Sequence, residues 1–522
     1  MPAKRLSSSE IECVSPRVVK PGEVDLVVQV YAGLDSASVQ FLYYKGPEVK
    51  KVEPPCGPLY GYTQIAVTGE NFVDLGRDMA MCAFKSEDSG NNYLDGSHKP
   101  IVYTNATIVN QTVLLCDSPS MLNKQGYAVD AEGAWWDVAV SLDGGNQLSD
   151  TVGRFEYYAE PVIKSVVPAL GPTYGGTVVT LHGRGFAQNA TCKAVIRLGV
   201  LEVFPLNMTN KTMTFRAPAT PLAGTTAVSV SLNGQQFTKQ PAVSDFSKEK
   251  TYDYYAPPYT SLYYPARGPT NGGTPQRHQG YGFKLERPHL TDRFWARLTD
   301  TSKAIIPGAE QEIPPEHLNI DTWAWSLPPV SAQSDTRDVL MQISLNHQDW
   351  HDVVNPETGT AYQYYATPHV TSVSPAFGHV KALSDPTIDI GGSGFRCLSD
   401  DKKEDDCSDL LCRFGNSPEA YVYVKAAYVS SSQVRCKVPQ YTKPDVLFVE
   451  VTVNGESYTN DNKTFGYFDP FVLDAEPKLL ATDGSTAVQI KGLGFVDSGQ
   501  ARAAYGNRTH ALTCGGNDAS VS

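Results

Sequence analysis

The sequence predicts an all-β chain, built as a tandem array of small antiparallel sandwiches. Three observations carry that prediction. A pair of aromatic residues recurs about every 100 residues, the size of one sandwich domain. Between the pairs lie short runs of alternating polar and apolar residues, punctuated by glycine and proline. Each interval also repeats the same motifs in the same order, the mark of a repeat architecture. At 522 residues the chain is long enough for several separate cores, and its 41% hydrophobic content can fill them. The 43 glycines and 36 prolines suit turn-rich β structure better than helix.

The first element is the aromatic anchor: Tyr43-Tyr44, Tyr157-Tyr158, Tyr254-Tyr255, Tyr364-Tyr365 and Tyr467-Phe468. The second follows it as an alternating strand, a proline, a glycine-rich turn and another strand. The copy Val162 to Pro168, then Gly171-Pro172-Thr173-Tyr174-Gly175-Gly176, then Thr177 to Gly183-Arg184-Gly185-Phe186 displays it best. Its ending recurs as Gly69-Glu70-Asn71-Phe72, Gly280-Tyr281-Gly282-Phe283, Gly392-Ser393-Gly394-Phe395 and Gly492-Leu493-Gly494-Phe495. Glycine there permits a bulge or a positive φ. The third element is a late hairpin turning at Asp143-Gly144, Asn233-Gly234, Asn346-His347 or Asn454-Gly455, pairs that suit two-residue turns.

With its proline, Gly-Gly, Gly-x-Gly-Phe and Cys-x-Phe-Gly elements, nearly the whole chain resembles the IPT/TIG family. These are immunoglobulin-like sandwiches of the E-set type, found in surface receptors, in some transcription factors and in long repeat proteins of protists and algae. The resemblance implies IPT/TIG domains at 46–159, 160–256, 257–367 (a divergent copy) and 368–469. Residues 1–45 then read as the C-terminal half of a domain, because Glu10 to Pro16 matches Gln433 to Pro439 well inside a later copy. Residues 470–522 read as the N-terminal part of another. The expectation is a fragment of a longer protist or algal-type repeat protein, elongated and stiff because the connectors are short and contain proline.

Composition narrows the function. The formal net charge is −13 with acidic residues spread along the chain, which argues against nucleic acid as a partner. No apolar run of the length that spans a bilayer occurs, and Met1-Pro2-Ala3-Lys4-Arg5 opens no secretory signal. A nucleophile elbow, a phosphate loop, a dinucleotide glycine motif, His-Glu-x-x-His and paired Cys-x-x-Cys are all missing, so no catalytic residue, cofactor site or metal site is expected. Asn346 to Asp352 contains imidazoles and carboxylates but lies on a late hairpin, so it reads as a solvated turn. Ser399 to Asp409 is acidic without the spacing of a calcium loop, and reads as a charged insertion. The third copy carries Trp295, Trp323, Trp325 and Trp350 and an inserted segment from Ile305 to Asn319. Those rings read as core, with an exposed binding patch as the other option.

The cysteines are read through the repeat. Cys82 and Cys116 in one copy correspond to Cys412 and Cys436 in another, the second member always within Cys-x-x-Pro. Other copies have Ile196 and Phe215, or Ala296 and Trp325, at the matching places, so the two cysteines are present or absent together. Direct contact across the sandwich explains such joint replacement. One reading is two structural disulfides in an oxidising compartment, and the other is buried reduced thiols behaving as small hydrophobes. Cys397 and Cys407 could form a further bridge, Cys13 would pair with a residue before Met1, and Cys56, Cys192 and Cys514 have no partner legible in the repeat. Seven Asn-x-Ser/Thr sequons, at Asn105, Asn110, Asn189, Asn207, Asn210, Asn462 and Asn507, are candidate glycosylation sites if the chain is exported.

These features imply a non-enzymatic binding or structural protein with protein partners, acting in recognition or adhesion at the cell surface. Two alternatives are an intracellular filament-associated scaffold, filamin-like or ciliary and axonemal, and a transcription factor carrying IPT domains. The low cysteine density suits the scaffold, whereas the missing basic recognition segment weighs against the transcription factor.

Overall fold

The computed structural model describes residues 3–31, 34–76, 79–86, 101–122, 135–150, 153–186, 192–239, 250–285, 293–331, 336–354, 362–380, 386–398, 407–484, 486–495, 502–505 and 508–511. Among them the regular structure is β-strand, apart from two 3-10 turns at Pro315–His317 and Pro418–Ala420. The chain divides into two compact units, Met1–Tyr255 and Ala256–Ser522, and each contains two complete sandwiches.

In the first unit, the first sandwich is one continuous eight-stranded sheet wrapped on itself. Its long strand Ile101–Asn110 makes the wrap by pairing with Met81–Ser86 on one side and Val113–Asp117 on the other. The second sandwich has two separate sheets. Val162–Val167, Val178–Arg184, Thr212–Arg216 and Asn207–Met208 make one, and Leu170–Pro172, Thr251–Tyr255, Gly224–Ser231, Val195–Leu198 and Leu201–Val203 make the other. Before these, Ala3–Arg5 pairs with Ile11–Cys13 and Gly22–Leu26 with Val39–Tyr43.

In the second unit, the third sandwich resembles the second: a three-stranded sheet faces one built on Thr336–Ser344 and Phe294–Thr299. The fourth is again a continuous eight-stranded wrap, with Val422–Ser430 in the bridging place. The segment Ile305 to Asn319, expected as an insertion in the third copy, is instead the counterpart of that bridging strand. Ile305–Ile313 lies antiparallel on Phe294–Thr299 as Ile101–Asn110 lies on Met81–Ser86. Phe471–Glu476 pairs with Gln489–Leu493 beyond the fourth sandwich.

The repeated motifs are explained by contacts. In the four complete sandwiches the first ring of the aromatic pair is buried and its hydroxyl donates to the carbonyl of the proline that follows the strand Val113–Asp117, Thr212–Arg216, Thr322–Ser326 or Gln433–Lys437: Tyr157 to Pro119 O, Tyr254 to Pro218 O, Tyr364 to Pro328 O and Tyr467 to Pro439 O, at 2.7 to 3.0 Å. In the first and fourth sandwiches the accepting carbonyl is that of the last residue of the Cys-x-x-Pro motif. The first glycine of Gly-x-Gly-Phe packs against the carbonyl of the opening strand. A Cβ at Gly69, Gly183, Gly280 or Gly392 would run into the oxygen of Glu48, Val162, Tyr259 or His369 and into the buried phenylalanine ring that follows. The third position has φ near +70°, and in the first copy Asn71 takes it at φ 62, as the short polar side chain of asparagine tolerates.

The late hairpins differ from expectation. They are wide loops, closed where Ser149 N, Thr238 N and Thr459 N donate to Val140 O, Val230 O and Val451 O. Asn233 and Asn454 do not adopt the left-handed conformation that the tight turn requires; only the following residue does, with Gly144, Gly234, His347 and Gly455 at φ 61 to 79. The asparagine side chain organises the loop instead. Asn233 Oδ1 accepts from Gln235 N and Gln236 N, and Asn454 Oδ1 from Glu456 N and Ser457 N.

Candidate binding surface

The paired cysteines sit at one structural position. Cys82 stands opposite Val140, and Ile196, Ala296 and Cys412 stand opposite Val230, Ile343 and Val451. Their partners Cys116, Phe215, Trp325 and Cys436 stand opposite Ile65, Val179, Gln276 and Ile388. The structure joins Cys82 to Cys116 with Cα atoms 6.3 Å apart, and Cys412 to Cys436 at 6.4 Å, separations a disulfide spans. All eight residues at these two positions are buried. Where the sulfurs are missing, Phe215 and Trp325 supply the bulk.

Two further pairs are joined. Cys397 and Cys407 close the acidic insertion, of which residues 399–406 lie outside the described residues. Cys56 is joined to Cys192, which repeat register could not show because the two belong to different sandwiches. Cys13 is free and exposed, and Cys514 lies outside the described residues.

The Cys56–Cys192 link belongs to a wider junction in the first unit. The hairpin of the second sandwich docks on the opening of the first: Asn233 Nδ2 donates to Cys56 O at 3.3 Å, Gln236 Nε2 to Tyr62 O at 2.8 Å, and Gln235 Nε2 to Gln64 O at 2.9 Å. The second ring of the aromatic pair completes it. Tyr157 packs in the first core, whereas Tyr158 packs with Cys56 and Trp135 in the second. The second unit repeats this arrangement. Asn454 Nδ2 donates to Arg267 O at 3.0 Å, Thr274 Oγ1 meets Ser457 Oγ at 2.8 Å, and Tyr365 lies in the core of the fourth sandwich. Arg267 occupies the place of Cys56, and its Nη1 donates to Leu398 O at 2.6 Å.

A second feature is periodic and was not read from the sequence. One residue after the cysteine position, three sandwiches carry an arginine whose guanidinium stacks on the aromatic residue four places beyond the hairpin asparagine. Arg197 lies 3.5 Å from the Phe237 ring centroid, Arg297 3.9 Å from Trp350, and Arg413 4.1 Å from Tyr458. Each is held by a carboxylate: Arg197 by Glu202 at 2.6 Å, Arg297 by Glu310 at 3.9 Å, and Arg413 by Glu450 at 2.5 Å. In the first sandwich both partners change together, to Ala83 and Gln147.

In the third sandwich this platform absorbs the His/Asp-rich hairpin. Trp295 stacks on His347 at 4.9 Å, His347 Nε2 meets Glu310 at 2.6 Å, and Asp352 is taken by Gln342 and Lys303. Burial draws the Arg297 pKa down while Glu310 and Asp352 oppose the shift. Trp323 and Trp325 are core residues, whereas Trp295 and Trp350 are half-buried in the platform. No group of residues among those described is arranged to hold a metal ion.

The model of the IPT/TIG domain matches three stretches, residues 47–157, 161–246 and 368–467, together more than half of the chain. The chain belongs to the IPT/TIG domain family. The match leaves out the third sandwich, whose tryptophan-filled core replaces the cysteine pair. Among relatives, mouse and human plexin-A2 are each 25% identical over 200 residues, which is 37% of this chain but only 10% of either plexin. Rat plexin-A3 is 21% identical over 206 residues, again 10% of its length. The chain therefore spans about a tenth of the curated relatives it matches. Of solved structures, the plexin A4 full extracellular region covers 90% of this chain and 40% of its own at 12% identity, with a TM-score of 0.29. The chicken CNTN1 FN1–FN3 domains cover 59% and 95% at 8% identity, with a TM-score of 0.21.

On this IPT/TIG array the described sequon asparagines, Asn105, Asn110, Asn207, Asn210 and Asn462, are all exposed. In the Asn110 sequon, Oδ1 accepts from Thr112 Oγ1 and Thr112 N, each at 2.8 Å. Asn189 and Asn507 lie outside the described residues. No helix among the described residues is long and apolar enough to cross a membrane.

Proposed function

We propose that this chain is a non-enzymatic recognition module, part of an exported or cell-surface protein, which binds protein partners through the exposed faces of successive IPT/TIG sandwiches. We assign these to 46–159, 160–256, 257–367 and 368–469, flanked by partial copies at 1–45 and 470–522. The observation that carries the reading is the cysteine pairing. Four disulfides fit the fold, and one of them, Cys56–Cys192, ties two sandwiches at a place where the other unit uses Arg267. Disulfides persist in oxidising compartments and are rare in the cytosol. The exposed sequons and the likeness to plexin-A2 support the same placement. Stacked arginine and aromatic groups, of the residue types enriched at binding hot spots, give the sandwiches faces suited to protein partners.

The test is to purify the native chain without reductant, block free thiols, and map the cysteine peptides by mass spectrometry before and after removal of N-glycans. Recovery of Cys82–Cys116, Cys412–Cys436 and Cys56–Cys192 as linked peptides, with glycan at Asn105, Asn110, Asn207, Asn210 or Asn462, is expected. Free thiols throughout would overturn the exported role and favour the intracellular scaffold.

A further inference from the structure

The outer face of the first sandwich differs from the matching faces of its siblings. Burial alternates along the strand Ile101–Asn110, and Tyr103, Asn105 and Thr107 share its exposed side. Tyr103 stands opposite Ala83 and Asn105 opposite Met81, whereas the core residues Cys82 and Phe84 point the other way. Tyr103 is 41% exposed, yet part of its ring is fixed by the late hairpin: a Cβ at Gly145 would stand 3.2 Å from it. Gly145 has φ 96, a conformation that favours glycine, so the hairpin backbone can lie this close to the ring.

The siblings fill the place of Tyr103 otherwise. In the fourth sandwich it is Tyr423, opposite Arg413, and its ring meets Tyr458 at 5.9 Å. The second and third have Glu202 and Glu310 there, each paired with the stacked arginine opposite. In the first, Ala83 brings no guanidinium, and the Tyr103 ring has no aromatic or cationic stacking partner among the described residues. Two residues on lies Asn105, acceptor of the sequon Asn105-Ala106-Thr107, about 7 Å along the same side of the strand. The fourth sandwich has Lys425 at that place. None of Asn110, Asn207, Asn210 and Asn462 has an aromatic residue two places before it.

We propose that Asn105 carries an N-linked glycan whose first N-acetylglucosamine lies back along the strand and stacks on the Tyr103 ring. In the attachment, the Asn105 amide nitrogen attacks the anomeric carbon of a lipid-linked oligosaccharide, the lipid pyrophosphate leaves, and the nitrogen gives up one proton. One face of the sugar is a patch of C–H groups, and the tyrosine presents to it a π face of negative potential, the complementary arrangement for an aromatic ring. An exposed ring beside a bulky, surface-directed modification is thereby covered. The sugar closes the outer face at the place where the siblings stack an arginine, which leaves the faces of the third and fourth sandwiches to protein partners. This inference rests on the exported placement proposed above, and deepens it.

The test uses the whole 522-residue chain secreted from a glycosylating eukaryotic cell. Peptide N-glycosidase is applied to the folded chain, and mass spectrometry follows occupancy and release at each sequon. A glycan at Asn105 is expected. Tyr103→Leu keeps apolar bulk over Gly145 but removes the π face, and should speed release at Asn105 by about threefold or more, the rate ratio that one ring contact supports. Release at the other sequons should not change, and Tyr103→Phe should keep the slow rate. Thermal unfolding gives a second readout: Tyr103→Leu should lower the midpoint of the first unit more in the glycosylated chain than in an Asn105→Gln background. A bare Asn105, or equal release from Tyr103→Leu and the unaltered chain, would overturn the seat. The exported placement is judged separately by the disulfides, so linked cysteine peptides together with a bare Asn105 would sink the seat alone.

Discussion

The two units solve the same junction problem with different chemistry. In both, the late-hairpin asparagine of one sandwich reaches a main-chain carbonyl at the opening of the sandwich before it, Asn233 to Cys56 O and Asn454 to Arg267 O. In both, the second ring of the aromatic pair leaves its own sandwich for the next core. The difference lies in one side chain. Cys56 is bonded to Cys192, whereas Arg267 reaches Leu398 O, one residue past Cys397. A loop of the following sandwich is held at that slot in either case. The slot is therefore set by packing and the clasp, and the covalent bond is one of two ways to fill it.

Removing the covalent version should have the largest effect. Cys56→Ser releases a cross-link spanning 136 residues, and is expected to cost the first unit about 2–5 kcal/mol, read as a lower denaturation midpoint, with the second unit unchanged. Equal shifts in both units would break the comparison. Next comes the clasp. Asn454→Ala loses the bond to Arg267 O and the two that organise its loop, about 2 kcal/mol, and should expose the junction to limited proteolysis. The matching Asn233→Ala should leave the first junction resistant, because Cys56–Cys192 still holds it. Arg267→Ala removes the charge-assisted hydrogen bond to Leu398 O, and is expected to lower stability of the second unit by about 1.5 kcal/mol in thermal unfolding.

The smallest effect distinguishes the units by pH. His278 is buried against Trp323, 3.7 Å away, and Gln276, and burial holds its pKa well below 6.5. The folded state then binds fewer protons than the unfolded one. Stability is retained above pH 6.5 and lost as pH falls below it, by about 1 kcal/mol between pH 6.5 and 5.5. His351, drawn down mainly by burial, adds a loss of the same sign. His182, the described histidine of the first unit, is exposed. Acid titration of unfolding should therefore lower the second unit first, and His278→Gln should narrow the gap.

Much of the fold was legible because its motifs answer local demands. A glycine under a carbonyl, a phenylalanine sealing it and a tyrosine hydroxyl seeking a proline carbonyl recur in each copy, so the repeat carries them openly. The pairs Cys82–Cys116 and Cys412–Cys436 could be aligned for the same reason. The hairpins were misread as tight turns because Asn-Gly serves both a left-handed turn and a loop built on the asparagine side chain, and only the wider loop lets Asn233 and Asn454 reach the preceding sandwich. The stacks of Arg197, Arg297 and Arg413 escaped notice since each arginine lies on a strand and its aromatic partner in a hairpin loop far away in sequence, although their joint change to Ala83 and Gln147 was a readable signal.

The sequence by itself determined an all-β chain, the order and spacing of its sandwiches, its membership of the IPT/TIG family and the positions available for cross-strand cysteines. These follow from periodicity and steric need within one repeat. Only the tertiary structure decided that Cys56 meets Cys192 and that Tyr158 and Tyr365 serve the next core. Each depends on which strands come to lie side by side when separate stretches of chain pack, and no local pattern encodes that proximity.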